Sequence, residues 1–171
     1  MRGRFAVVAL VAGVVCTGCL SGFKHPLGSV GRSFIDKPLL GTWACRSDDE
    51  PNPMDLTFVD FDGRQYLLQS DDHKAERYSH RVISTRVEDS MFLSLRPLAP
   101  KAEDEWTVLR YSFSDANHLS LGLVDPQPFE DILDDAIAVR DRLAGRLDDP
   151  EVIHEFLSCT RQDSATAQPE S

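Results

Sequence analysis

From Gly41 to Val124 the chain is a succession of short runs in which apolar and polar residues alternate, the period of a half-buried strand. Gly41–Arg46 is the first such run, and residues 56–61 and 64–69 follow it on either side of Asp62-Gly63. Asp-Gly between two β-prone runs predicts a two-residue hairpin of type I′. Arg77–Val87 is the longest run: Tyr78, His80 and Val82 share one face, and Ser79, Arg81, Ile83, Thr85 and Val87 share the other. Met91, Leu93 and Leu95 then alternate with Ser94 and Arg96, and Leu119, Leu121 and Leu123 alternate with His118, Ser120 and Gly122. With residues 106–113 this makes about seven strands on short connections, which predicts an antiparallel meander.

After Val124 the period changes. Phe129, Ile132, Leu133, Ala136, Val139, Leu143 and Leu147 follow helical spacing, with acidic residues early and arginines late, as the helix dipole favours. Asp149-Pro150 has the form of an N-cap and first-turn proline. It predicts a short second helix carrying Val152, Ile153, Phe156 and Leu157 on one side. The fold class expected is therefore mainly β with C-terminal helices. The ends are different in character. Residues 20–33 are rich in Gly and Ser without periodicity and read as a flexible tether, with a reach of about 45–50 Å if extended. Residues 163–171 are polar and are expected to be disordered.

The first residues carry an address. Arg2 and Arg4 precede an apolar run from Phe5 to Val15, too short to span a bilayer. Thr17-Gly18-Cys19 follows, and the whole resembles a bacterial lipoprotein signal, although Cys16 stands where that family usually has Leu, Val or Ile. The resemblance implies that residues 1–18 are removed and that Cys19 is acylated, so that the bilayer is the first partner. Two or three acyl chains, at about 0.8 kcal/mol per buried methylene, anchor a protein stably. Leu20 after the cysteine implies the outer membrane, facing the periplasm. An ordinary secretory signal cut near Gly18, or an uncleaved short anchor, fits the same run.

This address sorts the cysteines. Cys16 leaves with the signal and Cys19 takes the lipid, so Cys45 and Cys159 remain in an oxidising compartment. A disulfide between them is expected, with two buried free thiols as the alternative. Charge narrows the partners further. Loss of Arg2 and Arg4 lowers the 18 basic residues to 16 against 28 acidic ones, a net charge of −12. A chain so acidic is repelled by nucleic acid and by anionic headgroups.

Leu39-Leu40-Gly41-Thr42-Trp43, opening a meander that ends in a helix, resembles the start of a lipocalin or related calycin. There a Gly-x-Trp lies on the first strand and its indole closes one end of a barrel. The resemblance assigns that closing role to Gly41 and Trp43 and extends in element order over residues 36–162. It also asks for a late arginine over the tryptophan, for which Arg110 and Arg161 are candidates. The family's second motif is missing. Seven visible strands fit a shortened or open lipocalin-like barrel as well as a closed eight-stranded one.

No set of residues announces chemistry. The five histidines lack zinc spacing. Asp48-Asp49-Glu50 and Asp71-Asp72-His73 lack the spacing of a calcium loop. No nucleophile elbow or phosphate loop occurs. No catalytic residue, metal site or cofactor is assigned. Two functions follow. One is a non-catalytic binding or structural module, tethered in the envelope, whose acidic surface docks a basic envelope protein. The other is a carrier of a small apolar or amphipathic ligand, with Tyr66, Leu68, Met91, Leu93, Leu95, Leu119 and Leu121 lining its cavity. The same residues would equally fill a solid core.

Overall fold

The computed structural model describes residues 22–47, 53–71, 77–98 and 105–162. The expected signal and Cys19, the acidic cluster at 48–50 and the C-terminal tail lie outside them. Eight antiparallel strands close into a barrel in sequence order: β1 (Gly41–Arg46), β2 (Met54–Asp60), β3 (Gln65–Asp71), β4 (Arg77–Val87), β5 (Ser90–Pro97), β6 (Thr107–Asp115), β7 (His118–Val124) and β8 (Ile153–Arg161). The barrel is closed, so the shortened or open form is corrected. β8 pairs with both β7 and β1, which leaves no free edge.

The eighth strand occupies the segment expected as a second helix. Its apolar pattern is broken by a bulge: Leu121 faces Leu157, but Gly122 faces Glu155, so Phe156 is the extra residue. One extra residue reverses which side chains point inward. Ile153 accordingly belongs to the outer cluster, and Leu157 and Cys159 to the barrel interior. Two apolar pairs on opposite sides of a bulge imitate helical spacing. The long helix is also shorter than its pattern: α1 spans only Ala136–Ala144, capped by the Asp135 carboxylate, which accepts from the N–H groups of Ile137 and Ala138. Phe129 ends a short 3-10 helix (Gln127–Phe129) and Ile132 and Leu133 lie in the turns that follow; all three still contribute apolar contacts. The Asp62-Gly63 hairpin is likewise longer than expected. Phe61 N–H donates to Gln65 O, and of the turn residues only Gly63 has a positive φ, so the turn is not type I′.

Two apolar clusters hold the molecule. The inner one fills the barrel and includes Trp43, Phe58, Tyr66, Val82, Leu93, Tyr111, Leu119, Leu121 and Leu157. The outer one lies between the wall of β4–β6 and two coverings, α1 and the N-terminal segment. That segment is the expected tether, and from Gly22 onward it is packed, not free. Phe23 (2 % exposed) and Leu27 (3 %) enter the outer cluster. Phe23 exchanges two backbone hydrogen bonds with Trp106, of 2.9 and 2.8 Å. Leu27 N–H donates to Ser94 Oγ at 3.0 Å. The segment thus forms a strap along the barrel wall. It begins beside the start of β6, at the end where β1–β2, β3–β4 and β5–β6 connect, and runs to the opposite end, which it then crosses.

Candidate functional site

The crossed end is closed from the sequence upward. Gly41 has φ +115, which side-chain-bearing residues rarely adopt, and lets the chain turn from the strap into β1. Two residues on, Trp43 points inward and is fully buried, its indole N–H donating to Leu39 O at 2.9 Å. Of the two arginine candidates, Arg161 lies over the indole, 4.2 Å from the ring centroid. It also donates to Leu40 O at 2.9 Å, to Ala116 O at 3.1 Å and to Pro38 O. One planar fork thus ties the strap, the β6–β7 turn and the tryptophan together. Arg110 instead reaches Leu147 O and Glu155.

Beside this lid lies a polar lock that the sequence does not announce. Asp36 N–H donates to the Tyr66 hydroxyl at 2.6 Å, and the Tyr111 hydroxyl donates to Asp36 Oδ2 at 2.9 Å. Ser33 and the backbone of Phe34 bond Ser84 of β4. Burial pushes the Tyr66 phenol up to about 12. Burial, and then the Asp36 carboxylate that its hydroxyl bonds, raise Tyr111 further.

The disulfide Cys45–Cys159 is present and joins residues directly opposite each other on β1 and β8. It closes the barrel covalently at the seam where the first and last strands meet.

The residues expected to line a cavity all belong to the inner side of the barrel. Tyr66, Leu93 and Leu121 have no exposed surface and Leu119 has 1 %, so no water-sized space touches them beyond that trace. Leu68 and Leu95 are also buried in this cluster, and Met91 packs against it half-buried. Among the described residues are two clefts open to solvent. One, of about 340 Å³, lies on the outer wall along the registered row Ser112, Ser120, Ser158 and Arg46. The other, of about 460 Å³, lies at the closed end between Asp36, Asp89, Met91, Tyr111 and Phe113. Neither enters the centre of the barrel.

His80 is on the inward side of β4, opposite Leu68 and Pro97, in the half of the barrel away from Trp43. Its Nδ1 is buried and has no hydrogen-bond partner. Burial holds its pKa below the ordinary histidine value. His118 and His154 are exposed and face Asp115 and Asp125. Asp71 pairs with Arg77. Among the described residues no three His, Cys, Asp or Glu side chains are grouped to hold a metal ion.

No protein family, no curated protein and no solved structure matches this chain. The closed eight-stranded architecture agrees with a lipocalin-like barrel.

Proposed function

We propose that this protein is a lipid-anchored module of the bacterial cell envelope, built on a lipocalin-like barrel, that acts through its surface and without catalysis. The supporting observation is the solid middle of the barrel. Trp43, Tyr66, Val82, Leu93 and Leu121 meet there with no exposed surface, where a carrier would keep an apolar cavity of about 300 Å³ or more. With the middle filled, the outer wall is left to do the work. Strap and α1 cover the side of β4–β6, while Val59 on β2 and Phe61 in the following turn stay exposed. The acidic balance of the chain suits a basic protein partner, which electrostatic attraction would steer.

A second reading rests on His80. A buried ring nitrogen without a partner costs free energy and fits a small ligand that donates a hydrogen bond in the half of the barrel away from Trp43. Native mass spectrometry separates the two. Residues 22–171, exported to a periplasm and purified without stripping, should give the bare chain mass. A reproducible extra mass released on unfolding would replace the surface module with the carrier.

A further inference from the structure

We propose that the barrel stands on the membrane with the end at which the strap starts, rimmed by Tyr78 and Leu98, toward the lipid and its Trp43-closed end pointing away. This rests on the reading that Cys19 is acylated, and adds to it an orientation.

The argument starts where the strap starts. Gly22 N–H donates to Glu105 Oε2 at 2.6 Å, and Lys24 Nζ bonds the other oxygen of the same carboxylate at 2.8 Å. Phe23 is pinned by its paired backbone bonds to Trp106 and by burial against Phe129, 5.7 Å between ring centroids. The first residues of the strap are thus fixed beside the start of β6. The ends of β3 and β5 and the starts of β2, β4 and β6 all lie at this same end.

Only Leu20 and Ser21 separate Cys19 from Gly22. Three steps of chain reach about 10 Å. That replaces the 45–50 Å of a free tether, because the rest of the segment is spent on the barrel wall. The barrel itself is taller. The eleven residues of β4, at about 3.3 Å each and tilted by about 40°, rise about 25 Å. Acyl chains on Cys19 therefore reach a bilayer at the end where the strap starts, but not one lying against the Trp43 end.

The rim offers suitable side chains. Tyr78 is 50 % exposed and Leu98 is 53 % exposed. Leu98 N–H donates to the carbonyl of Ser79, so Leu98 stands on the outer face of the wall and Tyr78, one residue from Ser79, on the inner face of the same rim. An exposed tyrosine and an exposed leucine on the two faces of one rim suit the boundary between headgroups and acyl chains, where a ring with an apolar body and a polar tip is favoured. The exposed Phe61 lies at the opposite end, where this orientation leaves it in water and open to a protein partner.

The test uses the full acylated chain, extracted in detergent and reconstituted into phosphatidylcholine vesicles that carry a nitroxide-labelled lipid. Cys45 and Cys159 are tied in their disulfide, so an introduced cysteine can take a fluorophore. Tyr78→Cys and Leu98→Cys probe the rim; Phe61→Cys and Asn117→Cys probe the far end. All four positions are exposed. Quenching severalfold stronger at 78 and 98 than at 61 and 117 is the expected result. Vesicle flotation, compared with Cys19→Ala, comes first. A parent chain that does not float, or one that floats as well without Cys19, removes the anchor and the proposal with it. Flotation through Cys19 with equal quenching at both ends, or stronger quenching at 61, keeps the anchor and overturns the orientation. Rim probes that float unquenched overturn it too, and would mean that something other than lipid covers the rim. Protection of the same thiols from a membrane-impermeant maleimide repeats the comparison without a fluorophore.

Discussion

At the scale of single residues, the closed end depends on donor geometry more than on charge. Arg161 stacks on Trp43 while donating to three carbonyl oxygens, a task that needs a planar fork. Arg161→Lys keeps the charge and loses the fork. It should lower stability by about 1–3 kcal/mol, read as a lower denaturant midpoint at unchanged slope. An unchanged midpoint would mean that the strap holds itself. The neighbouring lock carries a pH signature. Tyr66 keeps its proton up to about 12, against 10.0 for an ordinary phenol. Between these values the native chain binds more protons than the unfolded one. Its contribution is therefore complete below pH 10 and is lost as pH rises to about 12. Tyr111 shifts in the same direction. Tyr66→Phe should cost about 1 kcal/mol at neutral pH, through the bond from Asp36, and flatten the alkaline decline. Urea midpoints measured across that range check both effects; an equally steep decline would place the titration elsewhere.

The strap is the element whose fit is tightest. A Cβ on Gly28 would stand 2.2 Å from Thr85 Oγ1, on the outer wall near the end of β4. Gly28→Ala should thus destabilise the protein by about 1–3 kcal/mol through overpacking. Thr85 Oγ1 is itself buried without a partner, so deleting it is cheap. Thr85→Ala should restore much of the loss in the double variant, and additive losses in that cycle would show that the two residues do not meet. Among the elements, β1 to β7 were legible because their apolar and polar residues alternate over most of each run, the bulge in β6 falling only at its end, between Phe113 and Asp115. The Leu119, Leu121 and Leu123 face of β7 is the plainest instance. β8 was not legible, because the bulge at Phe156 shifts the alternation midway. The strap was misread because its two anchors, Phe23 and Leu27, are sparse among Gly and Ser, and nothing local says which wall they meet. Their spacing beside an otherwise polar run was the one available signal.

At the scale of the whole molecule, closure joins these parts into one unit. β1 and β8 complete the sheet, and the disulfide joins residues 114 apart in sequence. On the chain-entropy account such a loop contributes about 4–5 kcal/mol. Legible in the sequence alone were the faces of the first seven strands, an expected bond between Cys45 and Cys159, and Gly41 and Trp43 at the opening of β1. These rest on local period and on composition, which short stretches of chain carry. Tertiary contacts settled the rest: that the eighth strand closes the barrel, that Arg161 and not Arg110 covers the tryptophan, that the leucine faces meet in a filled middle, and that the strap starts beside β6. Each of these depends on residues far apart in sequence arriving at the same place. No period along a chain specifies which distant side chain fills the space that another leaves.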